Sequence, residues 1–285
     1  MSAVAQPSPP VRTPRRERGQ FWLYVVAALL TIFMLLPIYL ITIAAFSPRQ
    51  VITSQFPKPV IPTEFSVETL RFFLRSTGVT TAVRNSLVVG LLTLVLSLVL
   101  GAPAGYALAR FPFRGRDSFK VLILSTRAFP IVILSIPLAV TFIRWGLYDT
   151  IWAVVLAHTA LALPTTILVT SSIFVSVPKD LEEAAETLGC TPFGAFWRVV
   201  LPLALPGLAA SAIFTFVLSW NEVFAATILT ISTRSRTLPA LVLAQLNNSP
   251  LPFRFAGGFA LVVPSLIFIF LMRRYLLNMW GRVTK

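Results

Sequence analysis

Six stretches of this chain each come close to the ~20 predominantly apolar residues that an α-helix needs to cross a bilayer. They run Phe21–Phe46, about Ser86–Ala109, Val121–Ile143, Ile151–Val177, Val199–Ile231 and Phe255–Met272. Backbone amides and carbonyls find no water in hydrocarbon, so segments of this kind are helical. The pattern predicts an all-α membrane protein with six transmembrane helices, residues 21–275 forming the membrane domain. Charged residues make up only 12% of the chain, against about one quarter in a soluble domain. The first stretch is longer than the roughly 7–15 residues of a signal-peptide core and is expected to remain as a span.

An even number of spans puts both termini on one side. With both inside, the inner segments hold fourteen Lys and Arg residues and the outer segments nine. The bias is clearest at Arg110, Arg114, Arg116 and Lys120, so the chain is expected to be N-in and C-in. This reading also explains the net charge of +14 without invoking nucleic acid. Residues 1–20, rich in Pro and Arg, are expected to form a disordered basic tail, and residues 276–285 a cytoplasmic one. Arg127, inside the third stretch, is expected to snorkel to the inner surface. Trp145, Tyr148 and Trp152 read as an outer interfacial belt. A lone Cys190 excludes an internal disulfide, and one His beside one Cys argues against a structural zinc site. The outer segment Ser47–Ala82 contains several prolines and predicts irregular chain with a short amphipathic helix near Val67–Leu74. The outer segment Ser232–Arg254 is expected to dip into the protein or lie across its mouth. Gly101, Pro103, Gly105, Pro130, Pro137, Pro164, Pro206 and Pro264 interrupt the spans, which suits a moving transporter core.

Between the fourth and fifth stretches lies Pro178–Pro202, which holds Asp180, Glu182, Glu183 and Glu186, four of the ten acidic residues in the protein. It reads as two short helices. Asp180 is expected to cap the first, with Glu183 as its capping-box partner and Gly189 as the stop. Thr191 is expected to cap the second, with Pro192 at the first helical position. Leu181, Ala184, Ala185 and Leu188 share one face of the first helix, and the second carries Phe193, Phe196, Trp197 and Val200. A polar connection between spans has no need of such apolar stripes; this one is built to dock.

No phosphate-binding glycine loop, zinc-protease helix or nucleophile elbow is present. Uphill transport would therefore draw its energy from a partner or from ion coupling. Glu183-Ala184-Ala185, three residues, Gly189, nine residues, then Val199-Val200-Leu201-Pro202 resembles the EAA loop of the permease subunits of binding-protein-dependent ABC importers, with Val199 in place of the usual Ile. Asn85-Ser86 at the start of the second span, Ala107-Leu108-Ala109-Arg110-Phe111 at its end, Trp220-Asn221-Glu222, and Arg273-Arg274 after the sixth are similar to the MalG-like half of the maltose-type, carbohydrate-uptake branch. The resemblance implies a prokaryotic inner-membrane permease that takes up a sugar or related polar solute. It also implies a second homologous permease, two nucleotide-binding ATPase subunits and an extracytoplasmic solute-binding protein as partners, with ATP and Mg bound by the ATPases and no cofactor in this chain. In that setting the loop is the coupling helix, and Glu182, Glu183, Ala184, Ala185, Leu188, Gly189 and Phe193 are its ATPase-coupling residues.

Glu222 is the one acid inside an apolar stretch, where ionisable groups face a bundle interior or a cavity. With Asn221, Ser219 and Thr215 it is expected to line the substrate pathway, with Ser211 a turn further back; the alternative is a pairing with Arg234 or Arg236. His158 is expected to be a packed histidine hydrogen-bonded to a neighbouring helix. An ion-coupled secondary transporter is the second reading, and a membrane scaffold the third. The former would need a repeat and a midplane ion site, and neither is visible.

Overall fold

The computed structural model describes residues 17–54, 60–62 and 64–280. Most of the expected N-terminal tail and the last residues of the C-terminal tail lie outside these, as do residues 55–59 and 63 of the proline-rich outer segment. Among the described residues every regular element is helical: α1 (Glu17–Ala45), α2 (Arg49–Ser54), α3 (Glu68–Arg75), α4 (Val79–Arg110), α5 (Arg116–Ser125), α6 (Ile131–Arg144), α7 (Ile151–Ser176), α8 (Lys179–Thr187), α9 (Pro192–Ala195), α10 (Leu201–Asn221), α11 (Phe224–Leu229), α12 (Leu238–Gln245) and α13 (Leu251–Trp280).

Five continuous helices are long and apolar enough to cross a membrane: Phe21–Ala45, Val79–Arg110, Ile151–Ser176, Pro192–Asn221 and Leu251–Leu271. The third expected span is not straight. α5 and its 3-10 extension, Arg116–Ala128, meet α6 at an angle of 83°. Pro130 is the cause: it lacks an amide, and its ring drives Phe129 out of the helical region, to φ −83° and ψ 119°. The fifth expected span differs too. α9 runs through a π-helical turn at Phe196–Val200 directly into α10, so the helix starts earlier than Val199 and stops at Asn221.

The most extensive pairing is α4 with α7. Lipid tails are as apolar as leucine, so two helices in a membrane associate through close packing and hydrogen bonds, which favours small residues at the seam. Gly101 and Gly105, four apart on α4, provide that seam. A Cβ on Gly101 would lie 2.7 Å from Thr166 Cγ2, and one on Gly105 would lie 2.8 Å from the Ser171 amide nitrogen. The Thr170 hydroxyl crosses the seam to donate to the Gly101 carbonyl at 3.1 Å. Val89 packs with Ala153–Val155, and Gly105 with Thr170 and Ser171, so the two helices run in the same direction. The bent α5–α6 segment carries the chain back between them.

α10 packs against both helices and against α13, while α1 leans on α13 and is otherwise open. The expected short amphipathic helix is α3, with Thr69 and Phe73 buried. α12 dips into the protein, burying Leu238–Val242. Asn85 and Ser86 hold it there. The Asn85 side-chain amide donates to the carbonyls of Arg234 and Arg236 at 2.8 and 2.9 Å, and the Ser86 hydroxyl accepts from the Leu238 amide at 2.7 Å. Asp149 ties the loop between α6 and α7 to the same segment. Its Oδ1 accepts from the amides of Ile231 and Ser232 at 2.7 and 2.9 Å, and from the Ser235 hydroxyl. Burial pushes this carboxyl up, but the hydrogen bonds outweigh burial and hold it down at about 2.

Candidate functional site

The loop between α7 and α10 is shaped by local chemistry. α8 starts at Lys179 with Pro178 before it and no side-chain cap, which corrects the expectation that Asp180 caps it. Asp180 instead lies in the first turn with Glu182, where negative charge suits the positive end of the helix dipole. The stop is as expected: Gly189 has φ +92°, its amide donates to the Glu186 carbonyl at 2.9 Å, and the Cys190 amide donates to the Ala185 carbonyl at 3.0 Å. Nothing lies within 4 Å of a Cβ built on Gly189, so backbone conformation alone favours glycine there. Thr191 caps α9 by accepting from the Gly194 amide at 3.1 Å, with Pro192 at the first position.

The two sides of this loop differ. On the inner side Ala185, Phe196 and Val200 are buried. Glu182, only 7% exposed, is held there as well. Arg110 Nε reaches its Oε2 at 2.7 Å, and the Tyr106 hydroxyl donates to Oε1. On the outer side Leu181, Glu183 and Ala184 are exposed, with Leu188 at 87% and Phe193 at 73%. Trp197 stands beside Phe193, ring centroids 6.0 Å apart. Of the apolar stripe expected on the first helix, only Ala185 turns into this chain; Leu181, Ala184 and Leu188 have no cover from it. Lys179 pairs with Glu183 at 3.0 Å on the surface, where such a bond contributes little.

Glu222 lies at a helix boundary, not within one. It ends α10, and its carboxylate accepts from the Phe224 and Ala225 amides at 2.9 and 3.0 Å through Oε1 and from the Ala226 amide at 3.2 Å through Oε2. This is why the helix breaks: the acid satisfies the free amides that begin α11. The same carboxylate meets His158 Nε2 at 3.1 Å, while His158 Nδ1 meets Ser219 Oγ at 2.8 Å. His158 is buried and Glu222 is 8% exposed. The partner of Glu222 is thus His158 of α7, not Arg234 or Arg236. Thr215 is buried against Thr166 of α7, hydroxyls 3.2 Å apart. Asn221 is exposed, its amide donating to the Val217 carbonyl at 2.9 Å. Thr215, Ser219 and Glu222 therefore form a polar seam between α7 and α10, with Asn221 at its open end. Sequence reasoning placed His158 against a neighbouring helix without naming its partner. The signal for the pair was present: a base and an acid of complementary kind, each isolated in an apolar stretch, satisfy one another in a membrane.

Residues 97–278, which include both the loop and the polar seam, match the family model described as "Binding-protein-dependent transport system inner membrane component". The chain is similar to the trehalose transport system permease protein SugB of Mycobacterium tuberculosis, 32% identical over 262 residues, covering 90% of this chain and 94% of that one. It is also similar to the diacetylchitobiose uptake system permease protein DasC of Streptomyces coelicolor, 33% identical over 221 residues, covering 78% and 80%. In fold it is similar to a chain of a bacterial ABC transporter involved in the import of the acidic polysaccharide alginate, with a TM-score of 0.70 at 22% identity, covering 92% of this chain and 99% of that one. A chain of the MetNI methionine ABC transporter gives a TM-score of 0.59 at 20% identity, covering 69% and 93%. With its helices, its loop and its extended sequence similarity in agreement, this chain belongs to the family of inner membrane components of binding-protein-dependent transport systems.

Proposed function

We propose that this chain is the permease subunit of an ABC importer for a sugar or related polar solute, placed in a bacterial inner membrane with both termini in the cytoplasm. The observation that carries the reading is the uncovered outer face of α8 and α9. Leu181, Ala184, Leu188, Phe193 and Trp197 form an apolar surface edged by Glu183, on a loop whose inner side is anchored. An amphipathic helix of this kind lies in a groove of a partner, here a nucleotide-binding subunit that presents basic residues to the acid edge. Glu182, Ala185 and Gly189 shape the loop from within.

Two such ATPases, a second homologous permease and an extracytoplasmic solute-binding protein complete the assembly, and ATP and Mg are bound by the ATPases. Closure of the ATPase dimer draws the coupling loops together, and the spans rock from inward- to outward-facing so that solute enters from the binding protein. Trehalose and diacetylchitobiose permeases among the relatives support a carbohydrate as cargo. Asn221, exposed at the end of α10, is placed to meet solute hydroxyls; Thr215, Ser219 and Glu222 shape the pathway from behind it.

Replacing Leu188 and Phe193 together by serine tests the carrying observation. The variant is expected to insert into the membrane normally, to lose co-purification of the ATPase, and to lose solute-stimulated ATP hydrolysis by more than about tenfold. An unaffected complex, or uptake driven by an ion gradient without ATP, would overturn the reading.

A further inference from the structure

The loop carries four acids, and the fold treats them unequally. Asp180, Glu183 and Glu186 are exposed. Glu182 is paired with Arg110 at 2.7 Å, both side chains 9% exposed, and accepts the Tyr106 hydroxyl. Arg110 uses a second nitrogen on the carbonyl of Val177, just past the end of α7, at 3.0 Å. One guanidinium therefore joins the last turn of α4, the end of α7 and the first turn of α8. The Tyr106 ring fills the space behind it, packed on Phe174 of α7 and on Phe196 of the π turn at centroid distances of 5.5 and 4.6 Å.

The backbone offers no comparable rigidity at this point. α7 and α8 are joined by Val177 and Pro178, both extended, with ψ values of 123° and 129°; such a connection bends unless something crosses it. Apolar packing resists separation but has little directional preference. A buried guanidinium–carboxylate pair fixes orientation, and separating it leaves an uncompensated charge.

We infer that Glu182 is a positioning residue. Through Arg110 and Tyr106 it locks α8 onto the α4–α7 pair, so that displacement of the loop moves both spans as one body and is not absorbed at Val177–Pro178. This rests on the function proposed above, because a partner must move the loop. Neighbouring acids then divide the labour: Glu183 faces the partner and Glu182 transmits.

The test uses the full complex in proteoliposomes, with radiolabelled trehalose and diacetylchitobiose as probes and solute accumulated per ATP hydrolysed as the readout. Glu182→Gln and Arg110→Gln are expected to lower this ratio alike, by about tenfold, with the ATPase still co-purifying. Tyr106→Phe is expected to lower it less, and the exchanged pair Arg110→Glu with Glu182→Arg to restore most of it. A merely stabilising role would reduce the amount of complex and leave the ratio unchanged. Loss of the ATPase from Glu182→Gln alone, with Arg110→Gln normal, would make Glu182 a contact residue and overturn the lock.

A second measurement needs no transport. Spin labels at Ala107 of α4 and Glu186 of α8, with Cys190 replaced by serine, are expected to show one narrow distance in every nucleotide state, broadening in both variants. An equally narrow distance in the variants, or one that shifts with nucleotide in the parent, would overturn the inference. A parent complex with no ATP-driven uptake of either sugar would instead count against the proposed function, and the label distances would still judge the lock.

Discussion

At the scale of single residues, two backbone positions carry testable weight. Gly189 has φ +92° and open space where a Cβ would stand, so a side chain there costs conformational energy of about 1–2 kcal/mol and no steric clash. Asn enters this region more readily than β-branched residues, so Gly189→Asn is expected to keep most solute-stimulated ATPase activity and Gly189→Val to lose most of it, measured in the reconstituted complex. Asp149 is the non-glycine residue with positive φ among the described residues, at 58°, and its carboxyl is held at about 2 against an ordinary 3.8. A group whose value is lowered on folding contributes stability at pH values above the unfolded value, and the contribution fades as pH falls toward the folded one. Asp149→Ala is therefore expected to lower the thermal midpoint at pH 7, with the gap to the parent closing as pH falls from about 4 toward 2. Gly189 was readable in sequence because a stop glycine after an acidic helix has a local cause. The role of Asp149 was not, because its three donors come from residues 231–235, far along the chain.

At the scale of elements, the α4–α7 seam and the α7–α10 seam obey different physics. The first depends on close approach. Gly105→Ala places a methyl 2.8 Å from the Ser171 amide nitrogen and 2.9 Å from the Ile167 carbonyl, both backbone atoms. The Thr170 hydroxyl lies nearer still and can turn aside, but the backbone atoms cannot, so the helices must part, at about 1–3 kcal/mol; thermal unfolding in detergent reads the loss. The second depends on buried polar pairs. Glu222→Ala strands His158 and three amides and is expected to cost about 3 kcal/mol. Glu222→Gln keeps one acceptor oxygen, enough for the Phe224 and Ala225 amides, and is expected to cost less. In a double-mutant cycle the loss from His158→Ala combined with Glu222→Ala is expected to fall short of the sum of the two single losses. Span positions were legible from hydropathy, and Pro130 stood among the expected interruptions, but which interruption turns the chain was not legible. The bend at Phe129–Pro130 and the stop at Glu222 lie inside apolar runs, and hydropathy averages over a proline and a single acid.

At the scale of the whole molecule, much apolar surface has no cover from this chain. α1 touches little but α13, and α5 buries none of its residues, while the outer face of α8 and α9 is apolar and uncovered. Purified alone, the chain is expected to hydrolyse no ATP, and co-expression with cognate permease and ATPase subunits is expected to raise its thermal midpoint; a calorimetric scan of each preparation checks this. The direction of α4 and α7, parallel and joined by a bent return, sets the frame within which loop and seam sit at opposite ends of α10.

By itself the sequence determined that the chain is helical, spans a membrane and bears an acidic loop with a stop at Gly189 and a cap at Thr191, because length, hydropathy and capping act within one element or between near neighbours. Only the tertiary structure decided which acid of Pro178–Pro202 faces inward and which base Glu222 meets. Those outcomes depend on side chains brought together from 61 to 76 residues apart, and on the cost of leaving any one of them unpaired in a medium without water. The Pro178–Pro202 loop is thus local in its shape and long-range in its anchoring.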